Sequence, residues 1–227
     1  MNNSFKISAS LMCADPYQLK KNIEIMQNEN IDYLHIDIMD GHFVPNYGLG
    51  LDFCKKLKEH TNIPFDYHLM IEEPHKLIPK LDLCKNDIVS VHYEATYCIQ
   101  EVIEQIKGSN AKFFIALKPE TPIIILGSIL DFIDGINFLT VTPGFAGQKM
   151  SELAVQKFQN LVKYLKNKNL TNLELEVDGN MTLENIQFFN KLGANIFVAG
   201  SSSLFGGGAC DMSNIIKKIR LTQCVEK

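Results

Sequence analysis

A short apolar run followed by a longer stretch of polar–apolar periodicity recurs eight times along this chain. That rhythm limits the folds open to it. The runs fall near 5–12, 33–39, 64–71, 88–92, 112–118, 136–142, 173–178 and 195–199, and the periodic stretches near 16–29, 50–60, 74–84, 96–107, 122–131, 151–168, 182–191 and 208–223. The runs read as buried strands and the stretches as helices. Strands alternating with helices pair in parallel through right-handed crossovers. Eight units in 227 residues leave no tail for a second domain. The sequence therefore predicts an α/β fold, a single-domain (β/α)8 TIM barrel over residues 1–227. A doubly wound open sheet is the alternative. It usually opens with a glycine-rich turn after its first strand, where this chain reads ASLMCADP with no glycine.

Helix punctuation agrees. Asp15-Pro16, Glu73-Pro74 and Thr121-Pro122 each place a capping residue before a proline suited to the first helical position. Thr182, followed by Asn185, is a weaker cap. The Asn- and Lys-rich surface stretch at 163–172 is assigned no role.

Alternation within the strands decides which side chains enter the barrel. In 34–39, Leu34, Ile36 and Ile38 face the helices and His35, Asp37 and Met39 face inward. In 65–70, Phe65, Tyr67 and Leu69 face out; Asp66, His68 and Met70 face in. In 173–178, Leu173, Leu175 and Val177 face out; Glu174, Glu176 and Asp178 face in. Charges buried there are costly unless paired or bound to a metal. His35, Asp37, His68 and Asp178 lie nearest the strand C-termini. Two imidazoles and two carboxylates suit one divalent ion per chain, Zn2+, Fe2+, Mn2+ or Co2+. Glu174 and Glu176 lie lower and read as structural, paired with inward Lys6. His92 and Glu94 form a rival ligand pair. Lys118 ends the fifth strand, where a barrel aldolase could carry a Schiff-base lysine. Met12, Met39 and Met70 end inward sets and could cap a reactive intermediate against water.

The basic residues are 21 lysines and a single arginine, Arg220, so an arginine fork for an anion is not expected. Small residues cluster instead at three late turns: Pro143–Gly147, Asp178–Asn180 and Gly200–Ser203. Backbone N–H groups at such turns bind phosphate, which in barrels commonly sits after strands seven and eight. A net charge of −4 and pI near 5.9 offer no basic face to nucleic acid. No run of about 18 apolar residues is present, so no membrane partner is expected. The N-terminal MNNSFKIS lacks a targeting pattern. Six cysteines without C-x-x-C spacing read as reduced thiols, mostly in the core, of a cytoplasmic protein.

Taken together, several strings resemble the ribulose-phosphate 3-epimerase family. They are His35-Ile-Asp-Ile-Met-Asp-Gly41 with Phe43-Val-Pro-Asn46, Asp66-Tyr-His-Leu-Met70, His92-Tyr-Glu-Ala95, Pro143-Gly-Phe-Ala-Gly-Gln148 and Val177-Asp-Gly179. The motifs run from Ser10 to Ser201 in the family's order. The resemblance implies a metal-dependent barrel that interconverts D-ribulose 5-phosphate and D-xylulose 5-phosphate in the pentose phosphate pathway. Its metal ligands map to His35, Asp37, His68 and Asp178, and its substrate-contacting serine to Ser10. The expected substrate-binding set is Ser10, His68, Gly144, Phe145, Ala146, Gly147, Gly179, Asn180, Gly200 and Ser201. Asp37 and Asp178 are expected to be the acid–base pair at C3, acting through a metal-stabilised enediolate. A homo-oligomer acting on a small sugar phosphate is expected. Three departures stand out: Ala146 and Asn180 replace family glycines, and Leu139 replaces a rim methionine. Asn180 tolerates positive φ, whereas Ala146 would strain a turn that needs it. Rival readings are an epimerase of a hexulose 6-phosphate, a Lys118 aldolase and a catalytically silent sugar-phosphate binder.

Overall fold

A computed structural model describes residues 5–206 and 211–222. Eight parallel strands close into a barrel in chain order: β1 (Lys6–Ser10), β2 (Tyr33–Met39), β3 (Phe65–Met70), β4 (Ile88–His92), β5 (Lys112–Leu117), β6 (Gly135–Leu139), β7 (Glu174–Asp178) and β8 (Ile196–Ala199). Closure by β1–β8 pairing excludes the open doubly wound sheet. Seven strands fall inside the expected apolar runs, and β6 starts one residue early.

Six α-helices are present among the described residues: α1 (Leu19–Asn28), α2 (Leu51–Lys58), α3 (Ile99–Ser109), α4 (Ala154–Asn167), α5 (Leu183–Leu192) and α6 (Met212–Leu221). The expected helices over 74–84 and 122–131 are short 3-10 turns instead, at Pro74–Lys76 and Ile78–Lys80, and at Ile123–Ser128 and Leu130–Phe132. Pro79 interrupts the first stretch by removing a donor and crowding the preceding turn. The second carries three consecutive isoleucines and Gly127, all weak helix formers. Two expected caps fail with them. Glu73 is left-handed (φ 53°) and caps nothing, and the Thr121 hydroxyl donates to Glu94. Asp15 and Thr182 do cap, accepting from the Tyr17 and Asn185 N–H groups.

Outward-facing strand residues and the apolar helix faces form one continuous core. Edge-to-face contacts Phe138–Phe158 (5.2 Å) and Phe158–Phe189 (5.1 Å) tie β6, α4 and α5 together. Inside the barrel, Tyr33, Ile88, Phe114 and Ile196 make an apolar floor. Above it lies a buried polar layer that includes Ser8, Asp66, Ser90, Asn137 and Glu176. Glu174 pairs with Lys6, as expected, and also with Lys112. Glu176 does not join them.

Asparagines close the turns. Among the described residues, five of the six non-glycine residues with positive φ are Asn30, Asn86, Asn110, Asn169 and Asn180, so part of the Asn bias has a conformational use. The core reading of the cysteines holds for Cys54 alone among those described. Cys84 and Cys98 are exposed, and Cys13 is half-buried; all four are free. Cys210 and Cys224 lie outside the described residues, as do 208–210 and 223 of the eighth expected helix.

Asp87 anchors the N-terminal end of this frame. Buried at the foot of β4, it accepts from the backbone N–H of Phe65 (2.8 Å) and Cys84 (2.8 Å) and pairs with Lys58. Asp87→Ala strands the buried Phe65 donor, the partly buried Cys84 donor and a cation, so urea denaturation should show a loss of about 2–4 kcal/mol. A loss below about 0.5 kcal/mol, the size of an ordinary surface substitution, would contradict this anchoring role.

Candidate active site

The C-terminal ends of the strands surround a cleft that includes Ser10, Asp37, His68 and Asp178 in its lining. Parallel register sets the pieces side by side: His35 is level with Asp66, and Asp37 with His68. His35 Nε2 lies 3.3 Å from Asp37 Oδ1 and 3.8 Å from Asp178 Oδ2. His68 Nδ1 lies 3.3 Å and 3.5 Å from the same two oxygens. All four expected ligands therefore converge.

The donor set can be tested against a divalent ion. His35 Nε2 and His68 Nδ1 are buried and have no hydrogen-bond partner. Ligands about 2.0–2.1 Å from a tetrahedral centre stand about 3.4 Å apart, close to the separations found. The residues fit. A second group, His35, Asp66 and Glu176, also lies close together. There His35 Nδ1 and Asp66 Oδ2 are 2.6 Å apart, a charge-assisted hydrogen bond and too close for two ligands of one ion. Ser8 Oγ donates to the same oxygen at 2.6 Å. Asp66 thus holds His35 from behind, with Nε2 facing the cluster.

Electrostatics point the same way. Burial opposes charge on His35 and His68, yet the surrounding carboxylates raise both above the ordinary histidine value. Burial likewise opposes the Asp37 carboxylate, but His35 and His68 hold it well below the usual range. The cluster calls for positive charge, from protons or from a cation.

The rival groups do not join the cluster. Lys118 Nζ sits 4.0 Å over the Phe43 ring, away from the role of a Schiff-base lysine. His92 lies behind His68, Nε2 to Nε2 at 2.9 Å, with Glu94 beyond it. Burial and neighbouring positive charge push His92 down to about 4, against the pull of Glu94.

The three late turns line one cleft. Gly144, Gly147 and Gly179 have φ of 112°, 77° and 103°, and Asn180 has φ of 51°. Asn180 therefore keeps the conformation of the glycine it replaces. Its side chain reaches Ser202 Oγ (3.3 Å), linking the last two turns. Ala146 is not in the left-handed region, so the expected strain is absent. Ser10 Oγ lies 3.3 Å from Asp37 Oδ2, and Met12, Met39, Met70 and Leu139 supply apolar wall. Phe145 stands half-exposed at the mouth.

Several contributors were not identified from sequence. Thr140 fixes the Asp178–Gly179 turn, donating from its N–H to Asp178 O (2.8 Å) and from Oγ1 to Gly179 O (2.5 Å). Asn46 donates to Gly144 O at 2.7 Å, and Gln148 to Thr142 O and Phe145 O. Asn46 and Gln148 stand within the recognised strings, which is the available signal. Cys13 lines the cleft beside Ser10, and nothing in its spacing indicates that.

The chain is similar to known proteins. The model of the Ribulose-phosphate 3 epimerase family matches residues 6–205. Ribulose-phosphate 3-epimerase of Bacillus subtilis is 35% identical over 215 residues, covering 95% of this chain and 98% of that protein. The chloroplastic ribulose-5-phosphate-3-epimerase of Arabidopsis thaliana is 36% identical over 219 residues, covering 96% and 76%. Among solved structures, Mycobacterium tuberculosis tryptophan synthase superposes with a TM-score of 0.69 at 10% identity, covering 99% and 95%. Phosphoribosyl anthranilate isomerase from Thermococcus kodakaraensis does so at 0.65 and 11%, covering 98% and 100%. At such identities these two establish the shared fold alone. No helix among the described residues is long and apolar enough to cross a membrane.

Glu176 is fully buried, and both its oxygens lack partners. Burial first, and then the Asp66 charge, raise it well above the ordinary carboxyl value. A carboxyl raised in the folded state adds stability below its unfolded pKa and loses it as pH rises through the folded one. Metal-free Glu176→Gln should therefore gain on the metal-free parent as pH is raised from about 5 to about 8, as read by urea unfolding. A gap that stays flat or moves the other way would show that Glu176 is not held protonated.

Proposed function

The chain belongs to the ribulose-phosphate 3-epimerase family, and we propose that it interconverts D-ribulose 5-phosphate and D-xylulose 5-phosphate by proton transfer at C3. The observation that carries this reading is the pairing of Asp37 and Asp178 on separate strands around two unpartnered imidazole nitrogens at the cleft floor. A binding protein has no need of two such carboxylates.

Inverting a carbon beside a ketone needs a base on one face and an acid on the other. Asp37 takes the C3 proton onto a carboxylate oxygen, and the C–H electron pair moves into the C2–C3 bond, giving an enediolate. Asp178 then gives its proton to the opposite face of C3. In the reverse direction the two exchange roles. His35, Asp37, His68 and Asp178 would hold one divalent ion, of the Zn2+, Fe2+, Mn2+ or Co2+ class. When bound, that ion supplies positive charge beside the oxygens where negative charge gathers. Ser10 is placed to orient Asp37 and the sugar. The methionine and Leu139 wall keeps water from the intermediate.

Phosphate goes to the late turns. Amides near Gly147, Gly179, Gly200 and Ser201 hold it, with Gly144, Phe145, Ala146 and Asn180 shaping the loops around it. A complex with substrate should show the phosphate on these N–H groups. A phosphate held chiefly by lysine Nζ groups would overturn this assignment.

Two carboxylates acting on opposite faces have an isotopic signature. In deuterated water, product should carry solvent deuterium at C3 from the first turnover, because the proton delivered is not the one removed. Asp37→Asn and Asp178→Asn should each lower net epimerisation by at least about 10²-fold, the usual contribution of one general acid or base. Metal content is measured beside the rate, since both residues are proposed ligands. A variant that keeps its metal and epimerises at the parent rate would reduce that carboxylate to a ligand.

A further inference from the structure

One pair of side chains beside the cleft has no part in the chemistry so far. His92 ends β4, and Glu94 stands in the turn after it; neither gives an atom to the four-residue cluster. The His92 ring stacks on His68, with centroids 5.0 Å apart and planes 27° apart, and the two Nε2 atoms are 2.9 Å apart. At that distance one nitrogen donates a hydrogen and the other accepts.

The far side of His92 decides which. Its Nδ1 lies 3.3 Å from Glu94 Oε2. A carboxylate only accepts, so His92 carries its hydrogen on Nδ1 and presents Nε2 as an acceptor. His68 then carries its hydrogen on Nε2, which leaves a lone pair on Nδ1, the atom 3.3 Å from Asp37 and 3.5 Å from Asp178. Glu94 cannot turn freely. Its Oε1 accepts from the Lys118 backbone N–H (3.3 Å) and the Thr121 hydroxyl, so Oε2 is the oxygen left for His92. The failed helix cap at Thr121 thus has a use.

We propose that Glu94 and His92 are positioning residues: Glu94 sets the tautomer of His92, and His92 sets that of His68, so that His68 offers Nδ1 to a divalent ion. The role rests on the metal reading given above. It parallels the hold of Asp66 on His35, but through a chain of two side chains.

Glu94→Gln probes the chain directly. Two donors still face the Oε1 position, so the new side chain must turn its NH2 toward His92. That makes His92 Nδ1 an acceptor and reverses both tautomers, placing a hydrogen on His68 Nδ1. His92→Phe keeps a ring between His68 and Phe43 but removes its nitrogens. Metal-free parent and variants are titrated with Co2+ against a competing chelator, and the visible bands of the Co2+ form are recorded. Both variants should bind Co2+ about 10–100-fold more weakly, with altered bands. Folded variants that bind within about twofold of the parent, with unchanged bands, would overturn the positioning role while leaving the metal reading intact. A parent that binds no Co2+ would overturn both.

Discussion

Asp37, Asp66 and Glu176 are buried inside a closed barrel with the imidazoles of His35 and His68, Asp178 stands partly buried beside them, and burial opposes charge on Asp37, Glu176 and both imidazoles. The arrangement settles this conflict locally. Glu176 is pushed toward its neutral form at the bottom of the group. Asp66 takes hydrogens from Ser8 and His35. Asp37 keeps its charge because two imidazoles stand against it. What remains is a pocket at the rim with two bare nitrogens, two carboxylate oxygens and a demand for positive charge. A divalent ion answers that demand better than a pair of protons, because it also leaves the imidazoles neutral, as ligands must be.

The strand register then gives the site its two-sided form. Asp37 and Asp178 come from β2 and β7, separated in the barrel by β8 and β1. Each has its own backbone support: Leu49 N–H donates to Asp37 O (2.8 Å), and Thr140, just past the end of β6, donates its N–H to Asp178 O (2.8 Å). The phosphate proposed for the glycine turns would sit beside Asp178. A substrate anchored there would lie with its carbon chain across the cluster.

Much of this was legible in the sequence, and the reason is periodicity. Alternation by two residues separates His35 and Asp37 from Leu34 and Ile36, and the eightfold rhythm places those inward sets on one barrel. What was not legible depends on neighbours distant in sequence. Asp66 meets His35 through β2–β3 register, and His92 meets His68 through β3–β4 adjacency. Neither contact is encoded in a local pattern, so His92 and Glu94 read equally well as ligands. Cys13 reads as core by composition, yet it lines the cleft. The helices over 74–84 and 122–131 failed where proline, glycine and branched residues outweighed an apolar period.

The proposed chemistry depends on the metal. Protein purified without chelators is analysed for divalent ions, and its turnover of D-ribulose 5-phosphate is followed before chelation, after it, and after the ion is restored. About one ion per chain is expected, with turnover lost on removal and recovered on return. Full epimerisation by protein shown to be metal-free would contradict the account.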